Sequence, residues 1–308
     1  MKDIKVIFMG TPVFSVPILE GLIDNYNVLA VVTKPDKPVG RGGKIAISPI
    51  KELALKNNIR VLQPIKIKED YQDILSLKPD IIITCAYGQI IPKILLDFPK
   101  YGCINVHASL LPKLRGGAPI HRAIIDGYDK TGITIMYMNE GMDTGDIIST
   151  KEVSISDTDT MSTLHDKLSI MGKDLLLDTL PNIISGNINR IKQNDSMATY
   201  AYIIKKEDEK IDFNDTKLNI YNRIRGLNSF PGAYAYLDNK RIKIYNSYIT
   251  DEIYDNLDNG VVTNIYKDGI GIKVSDGEIV ITDIQIEGKK RILVSNCDRN
   301  SFKGKVLT

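Results

Sequence analysis

The sequence predicts an α/β domain built on a mostly parallel sheet, followed by a small antiparallel β-barrel. Three observations carry that prediction. In the first half, short apolar runs closed by Gly or by polar residues alternate with segments of helical apolar spacing. Those runs are apolar throughout rather than at every second residue, the pattern of strands covered by helices on both faces. The last third changes texture, to short β-rich runs separated by turn dipeptides, as in small barrels. At 308 residues the chain exceeds what one hydrophobic core usually serves, so two domains are expected.

The elements follow in order. Residues 4–10 (IKVIFMG) read as a buried strand, 13–25 as a helix and 27–33 (NVLAVVT) as a second strand. A polar loop comes next. Residues 49–58 then read as a helix, RVLQP as a short strand, 70–77 as a helix and 80–86 (DIIITCA) as a strand. The following strand is GCINVHA, residues 102–108. In sheets of this kind ligands bind beyond the carboxyl ends of the strands. Residues 131–137 and 146–153 predict two more strands around a loop, and 160–184 a long amphipathic helix with a break near Gly172. The stretch IKQNDSMATYAYIIKKEDEK is polar and holds neither Gly nor Pro, which marks the passage between domains. The expected division is a first domain at 1–189, a linker at 190–206 and a second domain at 207–308. In the second, a helix at 217–227 precedes the runs AYAYL, RIKIYNSYI, GVVTNIY, GIGIKV and EIVITDIQI. Asp238-Asn239, Asn259-Gly260, Asp268-Gly269 and Asp276-Gly277 supply the turns.

Composition excludes several classes. Hydrophobic content of 43% and charged content of 25% are those of an ordinary globular protein. A net charge of +2 gives no general affinity for nucleic acid, so any such contact needs a local patch. The three cysteines show no C-x-x-C spacing; they read as reduced thiols, and no metal site is expected. The N-terminal apolar run is too short for a signal peptide, and nothing approaches the roughly 20 apolar residues of a membrane span. A soluble, cytoplasmic protein is expected.

Three stretches carry chemistry. In CINVHASLLPKLRGGAPIHRAI, side chains two apart on the strand share a face, so Cys103, Asn105 and His107 point one way. An imidazole moves protons near neutral pH, and an amide can donate to an oxygen gaining charge. An N-x-H at a strand end is equally the mark of a hydrogen-bonded pair with no chemistry. Two features favour chemistry: the chain has only three histidines, and Pro112 and Pro119 stiffen a loop in which Gly116 and Gly117 allow close backbone approach. In GMDTGD, Asp143 stands between glycines in a loop at the same expected sheet edge, where it could take a proton from His107 or hold a water against it. A plain hairpin loop is the alternative, since Asp-Thr-Gly is common turn chemistry. The third stretch, TKPDKPVGRGGKIAISPIKE, sets Lys34, Lys37, Arg41 and Lys44 against Asp36. Such a loop suits a phosphate or a nucleic-acid backbone, or is simply a solvated surface loop. FMGTPVF lacks G-x-G-x-x-G, so no dinucleotide site is read from it.

Taken together, FMGTPVFSVP, KPDKPVGRGGK with SPIKELA, QPIKIK, AYGQIIP, the N-x-H-x-S-L-L-P stretch, GMDTGDII and NSFPGAYAYL resemble the methionyl-tRNA formyltransferase family along essentially the whole chain. The resemblance implies a Rossmann-like catalytic domain and a C-terminal OB-like barrel that helps hold tRNA. It implies transfer of a formyl group from 10-formyltetrahydrofolate to the amino group of methionyl-tRNA, without metal, by a protein expected to be a monomer. It places the catalytic residues at Asn105, His107 and Asp143. It assigns folate binding to Ser109, Leu110, Leu111 and Pro112, and to Ala86, Tyr87, Gly88, Gln89 and Ile90 of the segment lining the pterin pocket. It assigns tRNA contact to Lys34, Lys37, Arg41 and Lys44. Where the family often has two basic residues after the Arg-Gly pair, this chain has Gly43 and then Lys44. Residues 201–308 hold 17 Lys plus Arg and 16 Asp plus Glu, so a tRNA-facing side there must come from charge segregation. The rivals are a formyltransferase of the same folate acting on an amino sugar nucleotide or glycinamide ribonucleotide, and, from another class, a non-catalytic RNA-binding protein. The last would have no use for Asn105, His107 and Asp143 together.

Overall fold

The structure is a computed structural model that describes residues 2–39 and 44–308, with Val39 and Lys44 described by their backbone alone. The chain forms two compact units. One comprises Met1–Pro119, Thr131–Val153 and His165–Ala201, the other Ile120–Lys130, Ser154–Leu164 and Tyr202–Thr308.

The first unit opens with β1 (Lys5–Gly10), α1 (Val16–Asn25) and β2 (Asn27–Val32). A two-stranded antiparallel ribbon, β3 (Lys37–Val39) and β4 (Lys44–Ala46), then stands where a polar loop was expected. Next come α2 (Pro49–Lys56), β5 (Arg60–Leu62), α3 (Gln72–Ser76), β6 (Ile81–Cys85), α4 (Lys93–Asp97) and β7 (Cys103–His107). The short helix α4 carried no clear apolar period. After α5 (Pro119–Ile125) follow β8 (Lys130–Tyr137), β9 (Ile147–Ser154) and the long α6 (Met161–Ser185). The sheet runs β5-β2-β1-β6-β7-β8-β9. Its first five strands are parallel, and β8 returns antiparallel to β7. All five residues of β6 are buried, which is why an unbroken apolar run marks it. The strand order reverses between β1 and β6, the kind of switch point where open sheets leave a crevice.

The break expected at Gly172 is absent: α6 is continuous. A Cβ at Gly172 would lie 3.1 Å from Cγ1 of Val106, so the glycine serves close packing of α6 on β7.

The second unit holds α7 (Lys217–Gly226) and the strands β10 (Ala233–Leu237), β11 (Lys240–Ile249), β12 (Val262–Ile265), β13 (Ile270–Val274), β14 (Gly277–Ile286) and β15 (Ile292–Leu293). Their order is β10-β11-β14-β13-β12, with β15 added to β14. Asp238 and Asn239 both take positive φ, 48° and 62°, as a tight hairpin between β10 and β11 requires. The C-terminus joins the two edge strands. Tyr236 N–H donates to Thr308 O at 2.7 Å, Val262 N–H to Lys305 O at 2.9 Å, and Leu307 N–H to Gly260 O at 2.8 Å. The sheet is thereby closed into a small barrel around Ile244, Ile272, Ile281 and Leu307, with Ile220 and Ile224 of α7 packed into the same core. No helix among the described residues is long and apolar enough to cross a membrane.

Candidate active site

The site grows from the end of β7. Asn105 and His107 lie on one face, as the strand period demands, and Cys103 lies beneath them, its thiol against Leu95 O at 3.1 Å. Burial pushes the Cys103 thiol up to about 12, so it is no nucleophile at neutral pH.

Each polar side chain is oriented by a neighbour. Thr84 on β6 stands opposite Asn105 in the sheet register, and its hydroxyl donates to Asn105 Oδ1 at 2.8 Å. The amide nitrogen therefore faces the other way and donates to Asp143 Oδ1 at 3.3 Å. His107 is 5% exposed and has its Nε2 3.0 Å from Leu114 O. A carbonyl only accepts, so Nε2 carries the hydrogen. That leaves Nδ1 facing Asp143 Oδ2 at 3.6 Å, a close approach longer than a direct hydrogen bond.

Asp143 lies in the loop between β8 and β9 with φ 55°. Its Oδ2 accepts from Gly116 N–H at 2.8 Å. Gln193 Nε2 donates to the carbonyls of Asp143 and Gly145, both at 2.8 Å. The loop after β7 is pinned as well. Thr134 Oγ1 donates to Ser109 O at 2.7 Å and accepts from Leu111 N–H at 3.2 Å, and Leu111–Pro112 is a cis bond. Leu114 N–H donates to Thr199 Oγ1 and Arg115 N–H to Thr199 O, both at 2.9 Å.

Of the residues matched to folate binding, Ser109 is fully buried and donates its hydroxyl to Lys113 O at 2.7 Å, so its side chain shapes the loop. Leu111 packs with Met136 and Ile147, while Leu110 and Pro112 are half-buried. The segment after β6 leaves the same sheet edge. Ala86 and Gly88 are exposed with positive φ, 49° and 78°. Tyr87 turns into the core, where burial pushes its phenol up to about 12 and its hydroxyl has no hydrogen-bond partner among the described residues. Gln89 is held by Ile67 N–H at 3.0 Å and by Pro64 O at 3.3 Å, and Ile90 is exposed.

The basic residues divide. Lys34 reaches over Gly88, its ammonium 2.7 Å from where a Cβ would stand, so it sits beside the segment after β6. Lys37 is exposed on β3, with no hydrogen bond to the Asn105–His107–Asp143 cluster among the described residues. Lys44 opens β4, and Arg41 lies outside the described residues. Hydrogen bonds from Lys51, at 2.5 Å, and from Gln63, at 2.8 Å, hold the Asp36 carboxyl below the usual range. That acid is thus engaged at the base of the ribbon.

The structure therefore brings Asn105 and His107 of β7 together with Asp143, from two separate stretches of chain. Sequence reasoning missed Thr84, Arg115 and Gln193, which orient them; Gly116, read for close backbone approach, makes that approach with its N–H on Asp143. Gln193 lies in the polar stretch read as a linker, and only its contacts distinguish it from any other polar residue there. Among the described residues no group of three or more His, Cys, Asp or Glu could hold a metal ion.

Residues 2–180 match the formyl transferase family and residues 203–300 the formyl transferase C-terminal domain. A methionyl-tRNA formyltransferase of Geobacillus sp. (strain WCH70) is 53% identical over 293 residues, covering 94% of this chain and 92% of that protein. That of Bacillus subtilis (strain 168) is 51% identical over 292 residues, with the same shares covered. Among solved structures, a sugar 3N-formyl transferase with dTDP and 5-N-formyl-THF superposes with a TM-score of 0.67 at 24% identity, over 93% of this chain and 99% of that one. That likeness shows the shared fold. With its N-terminal domain, its C-terminal domain and half its residues in common with these relatives, the chain belongs to the formyl transferase family, in the methionyl-tRNA formyltransferase group.

Proposed function

We propose that this protein transfers the formyl group of 10-formyltetrahydrofolate to the α-amino group of methionyl-tRNA, making the formylmethionyl-tRNA of translation initiation, and that Asn105, His107 and Asp143 carry the reaction. The observation that supports the reading most is the meeting of the Asn105 amide and the His107 imidazole on the Asp143 carboxylate at the end of β7. Asn105 there presents a donor and Asp143 an acceptor, while Nδ1 of His107 is the ring nitrogen left to move a proton.

The chemistry assigns a role to each. The amine attacks the formyl carbon as a neutral base, because an ammonium has no lone pair. The carbonyl oxygen becomes an oxyanion, which Asn105 Nδ2–H and the protonated Nδ1 of His107 stabilise. One preorganised donor of this kind lowers the barrier by about 3 kcal/mol. The proton lost by the attacking nitrogen passes to Asp143, directly or through a water. N10 of the folate takes the Nδ1 proton of His107 as its bond to the formyl carbon breaks, leaving tetrahydrofolate, and the proton on Asp143 returns to Nδ1. Leu110, Leu111 and Pro112, with Ala86, Gly88, Gln89 and Ile90, form the folate side, Ser109 and Tyr87 shaping it from within. Lys37 and Lys44 of the β3–β4 ribbon, together with Arg41, take the acceptor end of the tRNA, and Lys34 stands nearer the folate. In this reading residues 1–189 carry the reacting groups, 190–206 connect while their stretch to Ala201 braces the catalytic loops, and 207–308 hold tRNA; the protein acts as a monomer in the cytoplasm, where its tRNA substrate is charged.

The test is direct. Purified protein is mixed with 10-formyltetrahydrofolate and methionyl-tRNA, and formylmethionine on the tRNA is measured, with free methionine and a dTDP-linked amino sugar as control acceptors. Formylation of the tRNA alone is expected. Transfer to the amino sugar instead would keep the catalytic site and overturn the acceptor.

A further inference from the structure

We infer that Gln193 is a positioning residue that sets Asp143 in its working geometry, an inference that rests on the catalytic reading of Asp143 above. Gln193 is 7% exposed and its amide is committed on both sides. Its Oε1 accepts from Arg115 Nε at 3.1 Å and from Arg115 Nη2 at 2.8 Å. A guanidinium only donates, so the amide can face it only with its oxygen. Nε2 then points to the Asp143 loop and spends both hydrogens there, on Asp143 O and Gly145 O, each at 2.8 Å.

Those two carbonyls bracket Thr144, directly after the left-handed Asp143, φ 55°. A non-glycine residue keeps such a conformation only where its surroundings impose it. Here they act from both ends: Gln193 holds the main chain of Asp143, and Gly116 N–H holds its carboxylate at 2.8 Å. Both holds trace to one segment. Arg115, 2% exposed, precedes Gly116 and binds Gln193 and, at 2.7 Å, Asp195. Its main chain pairs with the same stretch, Arg115 N–H to Thr199 O at 2.9 Å and Ala201 N–H to Arg115 O at 2.7 Å. Residues 193–201 thus fasten the loop after β7 to the loop that carries Asp143. The separations of Asp143 from Asn105 Nδ2, 3.3 Å, and from His107 Nδ1, 3.6 Å, depend on that fastening.

Gln193→Glu is the informative variant. It keeps the shape and the Arg115 contact, but an ionised carboxylate cannot donate to two carbonyls. Displacing a reacting group by an ångström costs on the order of 100-fold in rate. We expect Gln193→Glu and Gln193→Ala to lower kcat by about 10- to 100-fold, with KM for methionyl-tRNA and for the folate changed less than about threefold. The decisive readout is the double variant. In an Asp143→Ala background, Gln193→Glu should cost less than about twofold further, because it acts through Asp143. A full, multiplicative loss in that background, or wild-type kcat in folded Gln193→Glu, overturns the inference. Full activity of Asp143→Ala by itself overturns instead the catalytic reading of Asp143.

Discussion

Gly116→Ala tests in one substitution how the site is held. Gly116 has φ 119°, outside the regions open to L-residues, and an alanine there costs about 1–3 kcal/mol. Its Cβ would also stand 2.8 Å from the carbonyl oxygen of Ala201. That carbonyl cannot retreat freely, since it accepts Ala118 N–H at 3.1 Å while Ala201 N–H donates to Arg115 O at 2.7 Å. Loosening such a bond costs about 1 kcal/mol more, so we expect about 2–4 kcal/mol of lost stability. The catalytic effect is separate. Gly116 N–H holds Asp143 Oδ2 at 2.8 Å, and a hydrogen bond to a charged group contributes about 1.5–3 kcal/mol. If that bond serves the transition state, losing it lowers kcat by roughly 10- to 100-fold, at about 1.4 kcal/mol per decade. The assay is steady-state formylation of methionyl-tRNA beside a urea unfolding curve. Gly288→Ala is the control: its φ is 78° and a Cβ there meets nothing within 4 Å, so it carries the backbone strain alone. Gly116→Ala with the control's small loss of stability and a wild-type kcat would refute the reasoning.

Asn105→Ala, His107→Ala and Asp143→Ala should each lower formylation about 10²- to 10³-fold with unchanged circular dichroism; near-normal turnover in any of them removes that residue from the mechanism. Arg41→Ala should raise KM for methionyl-tRNA while leaving KM for the folate unchanged, and should flatten the dependence on salt; an unchanged salt slope rules out its contact with the tRNA backbone. Burial pushes the thiols of Cys85 and Cys103 up to about 12, from 9.0. The folded state holds these protons more tightly, so the stability they contribute is complete below pH 9.0 and is lost as pH rises toward 12, by about 1.4 kcal/mol per pH unit for each thiol. Urea midpoints measured at pH 7, 9 and 10 should stay level over the first interval and fall over the second, while a thiol reagent at pH 8 should label Cys297 well before Cys85 and Cys103.

The sequence by itself determined the parts whose cause is local. Strands buried on both faces must be apolar throughout, so β1, β2 and β6 were legible as runs. The tight turn at Asp238-Asn239 was legible from its residue types. The sharing of a face by Asn105 and His107 follows from the strand period alone, and the N-x-H and D-T-G motifs carried the family resemblance. What only the tertiary structure decided is everything that depends on approach between distant stretches. Gly172 reads as a helix breaker until Val106 is seen beside it. The tautomer of His107 is set by a carbonyl seven residues on, and the amide of Asn105 by Thr84 on the neighbouring strand. Asp143 meets the pair across 38 positions of chain, and Gln193 holds it across 50. A hydrogen bond needs donor and acceptor within about 3 Å, a condition that spacing along a chain does not encode. Periodicity could name the residues at the end of β7; only the folded chain could supply the partners that aim them.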